Sequence, residues 1–273
     1  MATIKEALFQ AAQRIDRFEA RLLLAHLMQC RREYFITHDN DALDVHVLEC
    51  FKALVTRREA GEPVPYIIGS QEFFSRPFHV RPGVLIPRPD TETLIETVLS
   101  EIARTPANTL LDMGTGSGCI AITLALEAPQ LQVMASDLSV DALTIAKENA
   151  KELNANVNFV QGAWYEALPA EARFDIIACN PPYIHPKDDH LAALEYEPIG
   201  ALTDGVDGLE DLRSIIHGAP KHLNPNGLLI LEHGWDQGAA VRALFDDQQW
   251  TPAQTIKDLG DNDRVTFARL KVD

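Results

Sequence analysis

Long hydrophobic runs are missing from this 273-residue chain, and so are clustered cysteines, a basic excess and any internal repeat or low-complexity segment. No stretch approaches the roughly 18 consecutive apolar residues that a membrane span requires. The opening Met1-Ala2-Thr3-Ile4-Lys5-Glu6 carries no signal-type apolar block. A cytoplasmic protein without membrane contact is therefore expected. The four cysteines, Cys30, Cys50, Cys119 and Cys179, lack the paired spacing of a structural zinc site or a redox dithiol, and they read as reduced core residues. The net charge is -16, and it is unevenly placed: residues 1–60 carry nine Lys/Arg against nine Asp/Glu, the remainder 15 against 31. A duplex-binding surface needs many phosphate contacts from Lys and Arg, so the acidic C-terminal part counts against nucleic acid as a direct partner. The same numbers also fit an ordinary solvated surface.

What is present divides the chain. Ile4, Leu8, Ala11 and Ile15 fall on one helical stripe, Asp16 stands as a cap before the apolar block Leu22 to Met28, and Val45, Leu48, Phe51, Leu54 and Val55 repeat the stripe. Gly61-Glu62-Pro63-Val64-Pro65 breaks this pattern, because proline lacks the backbone donor and restricts the residue before it. Residues 1–68 are thus expected to form a small all-helical domain. Glu72-Phe73-Phe74 and Phe78-His79-Val80, separated by Ser75-Arg76-Pro77, predict a linking β-hairpin over 69–89. From residue 90 to 273 strands and helices alternate: a helix from Asp90 to Arg104, then Thr109 to Asp112, Cys119 to Glu127, Gln132 to Asp137, Val140 to Leu153, Val157 to Val160, Phe174 to Cys179, Leu209 to His222 and Leu228 to Glu232. That order predicts an α/β fold, a parallel sheet with helices on both faces. Two late β-like runs, near Pro252 to Ile256 and Arg264 to Leu270, have no helix between them and predict an antiparallel pair at the sheet edge.

Asp112-Met113-Gly114-Thr115-Gly116-Ser117-Gly118 sits at a strand end and opens a helix, where open α/β sheets bind ligands. Its glycines let backbone approach a nucleotide closely. Cys119 stands where a dinucleotide fingerprint has its third glycine, and the loop has no P-loop lysine, so neither a pyrophosphate nor an ATP-type phosphate suits it. Asp137, ending the next strand, is placed to accept from both hydroxyls of a ribose, or to cap the following helix together with Ser139. Trp164 either packs beside a nucleotide cofactor or belongs to the core.

The strand Phe174 to Cys179 delivers Asn180-Pro181-Pro182-Tyr183 beside the glycine loop. An amide or exocyclic amine nitrogen is a poor nucleophile because its lone pair is delocalised, so an enzyme must hold its protons and aim it. The Asn180 side-chain carbonyl and the Pro181 backbone carbonyl can each accept one hydrogen, rigid proline backbone preorganises them, and Tyr183 supplies a flat face. Each such bond contributes only about 1 kcal/mol net, so positioning must carry the chemistry. The combination points to methyl transfer onto a planar amide or exocyclic amine nitrogen.

The order of these motifs resembles the S-adenosylmethionine (SAM)-dependent methyltransferases with the seven-strand Rossmann-like fold, a likeness that by the Asn-Pro-Pro-Tyr motif alone leaves a glutamine side chain, a DNA adenine N6 and an rRNA guanine N2 open as acceptors. Ile86-Pro87-Arg88-Pro89-Asp90-Thr91-Glu92, Gly61-Glu62-Pro63-Val64-Pro65-Tyr66, Leu231-Glu232-His233-Gly234-Trp235 and Gly260-Asp261-Asn262-Asp263-Arg264-Val265 narrow the likeness, nearly end to end, to the peptide chain release factor N5-glutamine methyltransferases of PrmC/HemK type. The resemblance implies methylation of the glutamine in the Gly-Gly-Gln motif of class 1 release factors, by a monomer whose small helical domain helps to hold the factor. It further implies that Gly114, Thr115, Gly116, Ser117, Gly118, Asp137, Trp164 and Asn180 contact SAM, and that Asn180, Pro181, Pro182 and Tyr183 bind the glutamine, with Asn180, Pro181 and Tyr183 catalytic. No metal is expected: His185, Asp188, Asp189 and His190 read as a solvated loop, and His233 as a loop residue near the functional edge.

Overall fold

The computed structural model describes residues 2–272, so the first and last residues of the expected domains lie outside it. Two compact units meet at Ser70 and Gln71. The first is helical: α1 (Ile4–Ala11), α2 (Arg17–Met28), α3 (Tyr34–Thr37), α4 (Val45–Glu59) and α5 (Val64–Ile68). Local chemistry sets the helix starts. Thr3 and Glu6 form a reciprocal capping box on α1, Asp16 accepts from the Phe18 and Glu19 amides on α2, and Asp44 does the same for His46 and Val47 on α4. Ile4, Leu23, Leu24, Phe35, Phe51 and Val55 form the core of this unit.

The hairpin consists of β1 (Ser70–Phe73) and β2 (Arg76–His79), with Phe73 and Phe78 buried in the core of the second unit against Leu94, Ile95 and Val98. The turn falls one residue earlier than the sequence suggests, on Phe74 and Ser75, both with positive φ (49° and 61°). Arg76 and Pro77 belong to β2, and a two-stranded ribbon leaves each strand an open edge on which proline displaces no hydrogen bond.

A 3₁₀ turn (Pro89–Thr91) leads into α6 (Glu92–Arg104). Then follow β3 (Thr109–Met113), α7 (Cys119–Glu127), β4 (Gln132–Asp137), α8 (Val140–Glu152), β5 (Val157–Gln161), β6 (Phe174–Cys179), α9 (Glu210–Gly218), β7 (Leu223–Glu232), α10 (Gly238–Ala243), β8 (Gln254–Lys257) and β9 (Asp263–Arg269). Seven strands form one sheet in the order β5-β4-β3-β6-β7-β9-β8. The first five are parallel, and β9 runs antiparallel between β7 and β8. Alternation assigns Leu110, Ile176, Ala178, Leu228 and Ile230 to one face and Leu111, Ile177, Cys179, Leu229 and Leu231 to the other. Both faces are covered, which is why the central strands read as continuous apolar runs.

Three expectations shift. β7 begins at Leu223 rather than Leu228, because Asn224-Pro225-Asn226-Gly227 is carried as an irregularity opposite Phe174 and Ile176. α9 gives way after Gly218 to a 3₁₀ turn over Ala219–Lys221 that contains Pro220. Cys119 and Cys179 are core residues, whereas Cys30 and Cys50 are only half-buried on the helical unit. Strand order reverses between β4 and β6 on either side of β3, so the loops leaving β3 and β6 flank a topological switch point, the place where such sheets bind ligands.

Candidate active site

Asp112 ends the buried run of β3. Its Oδ2 accepts from Thr115 Oγ1 at 2.6 Å and from the Ala121 amide at 3.2 Å, so one carboxylate closes the glycine loop onto the first turn of α7. Oδ1 has no partner, and complete burial raises the group to about 7. Gly114, Gly116 and Gly118 all have positive φ. At Gly118 a Cβ would lie 2.7 Å from Ile122 Cδ1, so the helix packs where only hydrogen fits.

Asp137 ends β4 next to this loop. Its Oδ2 accepts from the Gly116 amide at 2.9 Å and its Oδ1 from the Ser139 amide at 2.8 Å, while Ser139 itself caps α8 through the Ala142 amide. The carboxylate is therefore a brace of the loop rather than the helix cap. Burial raises its pKa. Beside these residues opens a cavity of about 540 Å³, within the usual range for small-molecule sites. Gly114, Gly116, Asp137, Trp164, Asn180 and Pro182 line it. Thr115, Ser117 and Gly118 do not: the first two are buried, with Thr115 bonded to Asp112 and the Ser117 carbonyl to Asn149 Nδ2, and they shape the loop from behind. The lining's only charged residues are Asp137 and Asp211, and it contains no Lys or Arg, so the cavity favours a cationic ligand over a phosphate.

Asn180, Pro181, Pro182 and Tyr183 leave β6 at the same edge. A second, smaller cavity of about 70 Å³ lies here, lined by Leu85, Arg88, Asn180, Pro181, Tyr183 and Leu194 among others. Asn180 belongs to the walls of both cavities. Its Nδ2 donates to Thr91 Oγ1 at 3.4 Å. The Tyr183 hydroxyl donates to Glu232 Oε1 at 3.2 Å, and the Tyr183 carbonyl accepts from Gln237 Nε2 at 3.0 Å. Burial and the neighbouring Glu232 carboxyl raise the Tyr183 phenol, so it stays protonated. Glu232 is fully buried at the end of β7, with Oε2 unpartnered, and desolvation raises it to about 7 despite the hydroxyls of Thr91 and Tyr183 and the Arg264 charge.

The segment that served in the sequence only as a signature has a contact for each polar side chain. Arg88 pairs with buried Glu197, whose other oxygen accepts from the Ile86 amide. Asp90 meets Arg264 at 3.3 Å, Thr91 accepts from Asn180, and Glu92 accepts from the Phe74 amide at 2.8 Å. Sequence reasoning missed Gly83, Val84, Leu85, Pro198, Gly200 and Asp211 as cavity walls, for they lie in irregular segments or at helix starts with no motif of their own. His233 lies in the loop after β7, as expected, and is buried there, its Nε2 at 2.8 Å from Thr266 Oγ1, and burial lowers its pKa. Among the described residues no group of three or more side chains is arranged to hold a metal ion.

A seven-strand sheet with β9 reversed between β7 and β8, and ligand loops after β3 and β6, defines a class I, Rossmann-like methyltransferase. Solved structures agree in fold: the N-terminal domain of human METTL16 in complex with SAH (TM-score 0.56, 19% identity, 92% of this chain and 94% of that one) and a Thermus thermophilus 16S rRNA N2 G1207 methyltransferase in complex with AdoMet and guanosine (TM-score 0.54, 21% identity, 74% and 50%). Residues 2–69 match the family model described as PrmC N-terminal domain, and 88–196 that of the methyltransferase small domain. The release factor glutamine methyltransferases of Bordetella pertussis and Xylella fastidiosa strain Temecula1 are 45% and 47% identical over 94% and 95% of this chain, and 96% and 95% of their own. The chain belongs to the release factor glutamine methyltransferase family. Among the described residues no helix is long and apolar enough to cross a membrane.

Proposed function

We propose that the chain transfers the methyl group of SAM to the side-chain nitrogen (N5) of the glutamine in the Gly-Gly-Gln motif of class 1 peptide chain release factors. The observation that carries the reading is Asn180, which forms a wall of both the large cavity and the small one. The large cavity fits SAM: its carboxylates suit a ligand bearing sulfonium and ammonium charges, and Gly114 and Gly116 leave room where side chains would intrude. SAM would supply an electrophilic methyl group and leave as S-adenosyl-L-homocysteine, its S–C bond breaking as the N–C bond forms, while the substrate nitrogen gives up one of its two protons to water. Gly114, Gly116, Asp137, Trp164 and Asn180 would hold it, with Thr115, Ser117 and Gly118 shaping the loop.

Asn180 Oδ1 and the Pro181 carbonyl would each accept one hydrogen of the substrate NH2, turning the nitrogen toward the large cavity, while Pro182 and the Tyr183 ring keep the carboxamide plane fixed. Hydrogen-bond acceptors held rigid before reaction act mainly by positioning. Asn180, Pro181 and Tyr183 are the catalytic residues in this reading. Residues 1–68 would help to hold the release factor, and 69–89 would join them to the methyltransferase part at 90–273 while lending Gly83, Val84, Leu85 and Arg88 to the cavity walls, in a cytoplasmic monomer.

The small cavity supports a glutamine end over a purine, which a nucleobase enzyme must accommodate whole after flipping. Incubation with labelled SAM and a purified class 1 release factor, followed by peptide mass mapping, tests the proposal. Label on the tripeptide glutamine is expected, and label on any other residue, or only in added DNA or rRNA, would sink it.

A further inference from the structure

We infer that Gln237 is a positioning residue that fixes the Asn180-to-Tyr183 segment from outside the small cavity. The inference rests on the proposed reaction, because it concerns where Pro181 and Tyr183 meet an acceptor NH2. Gln237 stands just before α10, half-buried and off the walls of both cavities. Its side chain reaches three backbone groups. Oε1 accepts from the Gly234 amide at 2.8 Å, while Nε2 donates to the Tyr183 carbonyl at 3.0 Å and to the Gly208 carbonyl at 3.1 Å. A backbone amide only donates and a backbone carbonyl only accepts, so these partners permit one orientation of the carboxamide. One side chain thus ties together the segments after β6, before α9 and after β7.

The junction is tight. Gly208 has a φ of 78°, and a Cβ there would lie 2.5 Å from the Tyr183 carbonyl oxygen and 3.0 Å from Gln237 Nε2. The Tyr183–Ile184 peptide unit is held on its other side by the Ile184 amide, which donates to the Leu202 carbonyl at 2.9 Å. Without Gln237 that bond would become a pivot on which the peptide plane can turn. A turn at Tyr183 also moves its neighbours, because Pro181 and Pro182 have locked φ angles and leave the segment few free dihedrals. It therefore reaches both the Pro181 carbonyl, the proposed acceptor, and the ring that forms the flat face. The Tyr183 hydroxyl, bonded to Glu232 at 3.2 Å, lies at the far end of the side chain and does not restrain the backbone in this way. None of the three Gln237 bonds reaches the glycine loop or Asp137, so SAM affinity should change little.

The test uses the full-length protein with Gln237→Leu, which removes all three bonds, and Gln237→Glu, which keeps the shape and an acceptor for Gly234 but gives up the NH2 donor. Two quantities are read: the ¹⁹F NMR line of Tyr183 in protein labelled with 3-fluorotyrosine, assigned by its loss in Tyr183→Phe, and kcat and KM with SAM and a purified class 1 release factor. Both variants are expected to shift or broaden the Tyr183 line while those of Tyr34 and Tyr66, in the helical unit, stay in place. They should lower kcat by about 10- to 100-fold, with KM for SAM within about twofold of wild type, as misplacement of a positioned group predicts. If Gln237→Leu folds poorly and all the tyrosine lines collapse, Gln237→Glu carries the same readings. An unmoved Tyr183 line, a kcat within twofold of wild type, or a rise in KM for SAM as large as the fall in kcat would overturn the inference. If the wild type does not methylate the release factor at all, the proposed function fails, and the Tyr183 line still decides whether Gln237 positions the segment.

Discussion

The Asp137 carboxylate that ends β4 accepts from the backbone amide of Gly116 at 2.9 Å, so one strand's terminal side chain holds the loop that follows its neighbour. The residue proposed to bind a ribose is therefore already part of the wall it serves. A carboxylate oxygen that takes one amide hydrogen keeps a lone pair for a second donor. Bracing and ligand binding are compatible in the same group.

Replacing Asp137 should weaken cofactor binding through both routes. Asp137→Ala removes the Gly116 and Ser139 bonds as well as the proposed ribose contacts. Hydrogen bonds to charged groups are worth about 1.5 to 3 kcal/mol, so the SAM dissociation constant should rise by about 10- to 100-fold. Isothermal titration calorimetry measures it, and an affinity within a factor of two of wild type would remove Asp137 from the site.

The loop glycines should differ in their tolerance of a methyl group. Gly116 and Gly118 both have positive φ, but a Cβ at Gly116 meets nothing within 4 Å, whereas at Gly118 it would overlap Ile122 and press on Ala146. Gly116→Ala should cost about 1 to 2 kcal/mol of unfolding free energy from the left-handed backbone alone. Gly118→Ala should cost more, by about a further 1 to 3 kcal/mol of overpacking. Urea unfolding of the two variants checks the ranking, and equal losses would show that the α7–α8 contact yields freely.

Tyr183 separates ring from hydroxyl. Tyr183→Phe keeps the flat face at the small cavity and leaves Glu232 with no phenol donor, so it should lower stability by about 1 to 3 kcal/mol while kcat falls little. Tyr183→Ala also removes the ring and should lower kcat by a further tenfold or about that. Steady-state kinetics beside urea titration distinguish the two. A phenylalanine variant as slow as the alanine one would move the hydroxyl into the chemistry.

Much of this arrangement was legible in the sequence, and the illegible part has physical causes. The strands β3 to β6 announce themselves because a doubly covered parallel sheet needs unbroken apolar runs, and the glycines because the turn into α7 admits no side chain at Gly118. The hairpin turn was misread because Phe74, a bulky residue, takes a positive φ that turn chemistry assigns to glycine or asparagine. His233 lies just past β7 outside any strand or helix, as the sequence suggests, but its burial beside Thr266, 33 positions away, has no local mark. Asp211 and Leu85 reach the large cavity from α9 and from the segment after β2, with no local pattern to mark them. Thr91 stands in the Ile86-to-Glu92 signature, but its contact with Asn180, 89 positions away, has no local mark.

Glu232 yields a pH dependence whose sign can be worked out. Its pKa is raised from about 4.5 to about 7 in the folded chain by complete burial. Between those values the folded state holds a proton that the unfolded state has released, so stability falls as pH rises through this window. The penalty is absent near pH 4, grows through the window and is complete above about pH 8, where it should be on the order of 3 kcal/mol. Glu232→Gln cannot ionise and keeps a carbonyl for the Tyr183 hydroxyl, so it lacks this slope. Asp112, raised to about 7 by the same cause, contributes equally to wild type and variant and cancels in the comparison. Urea unfolding at a series of pH values from 5 to 8 should therefore show the variant gaining on wild type as pH rises. A difference between the two that is flat with pH, or that runs the other way, would mean that Glu232 is ionised throughout and held so by Arg264.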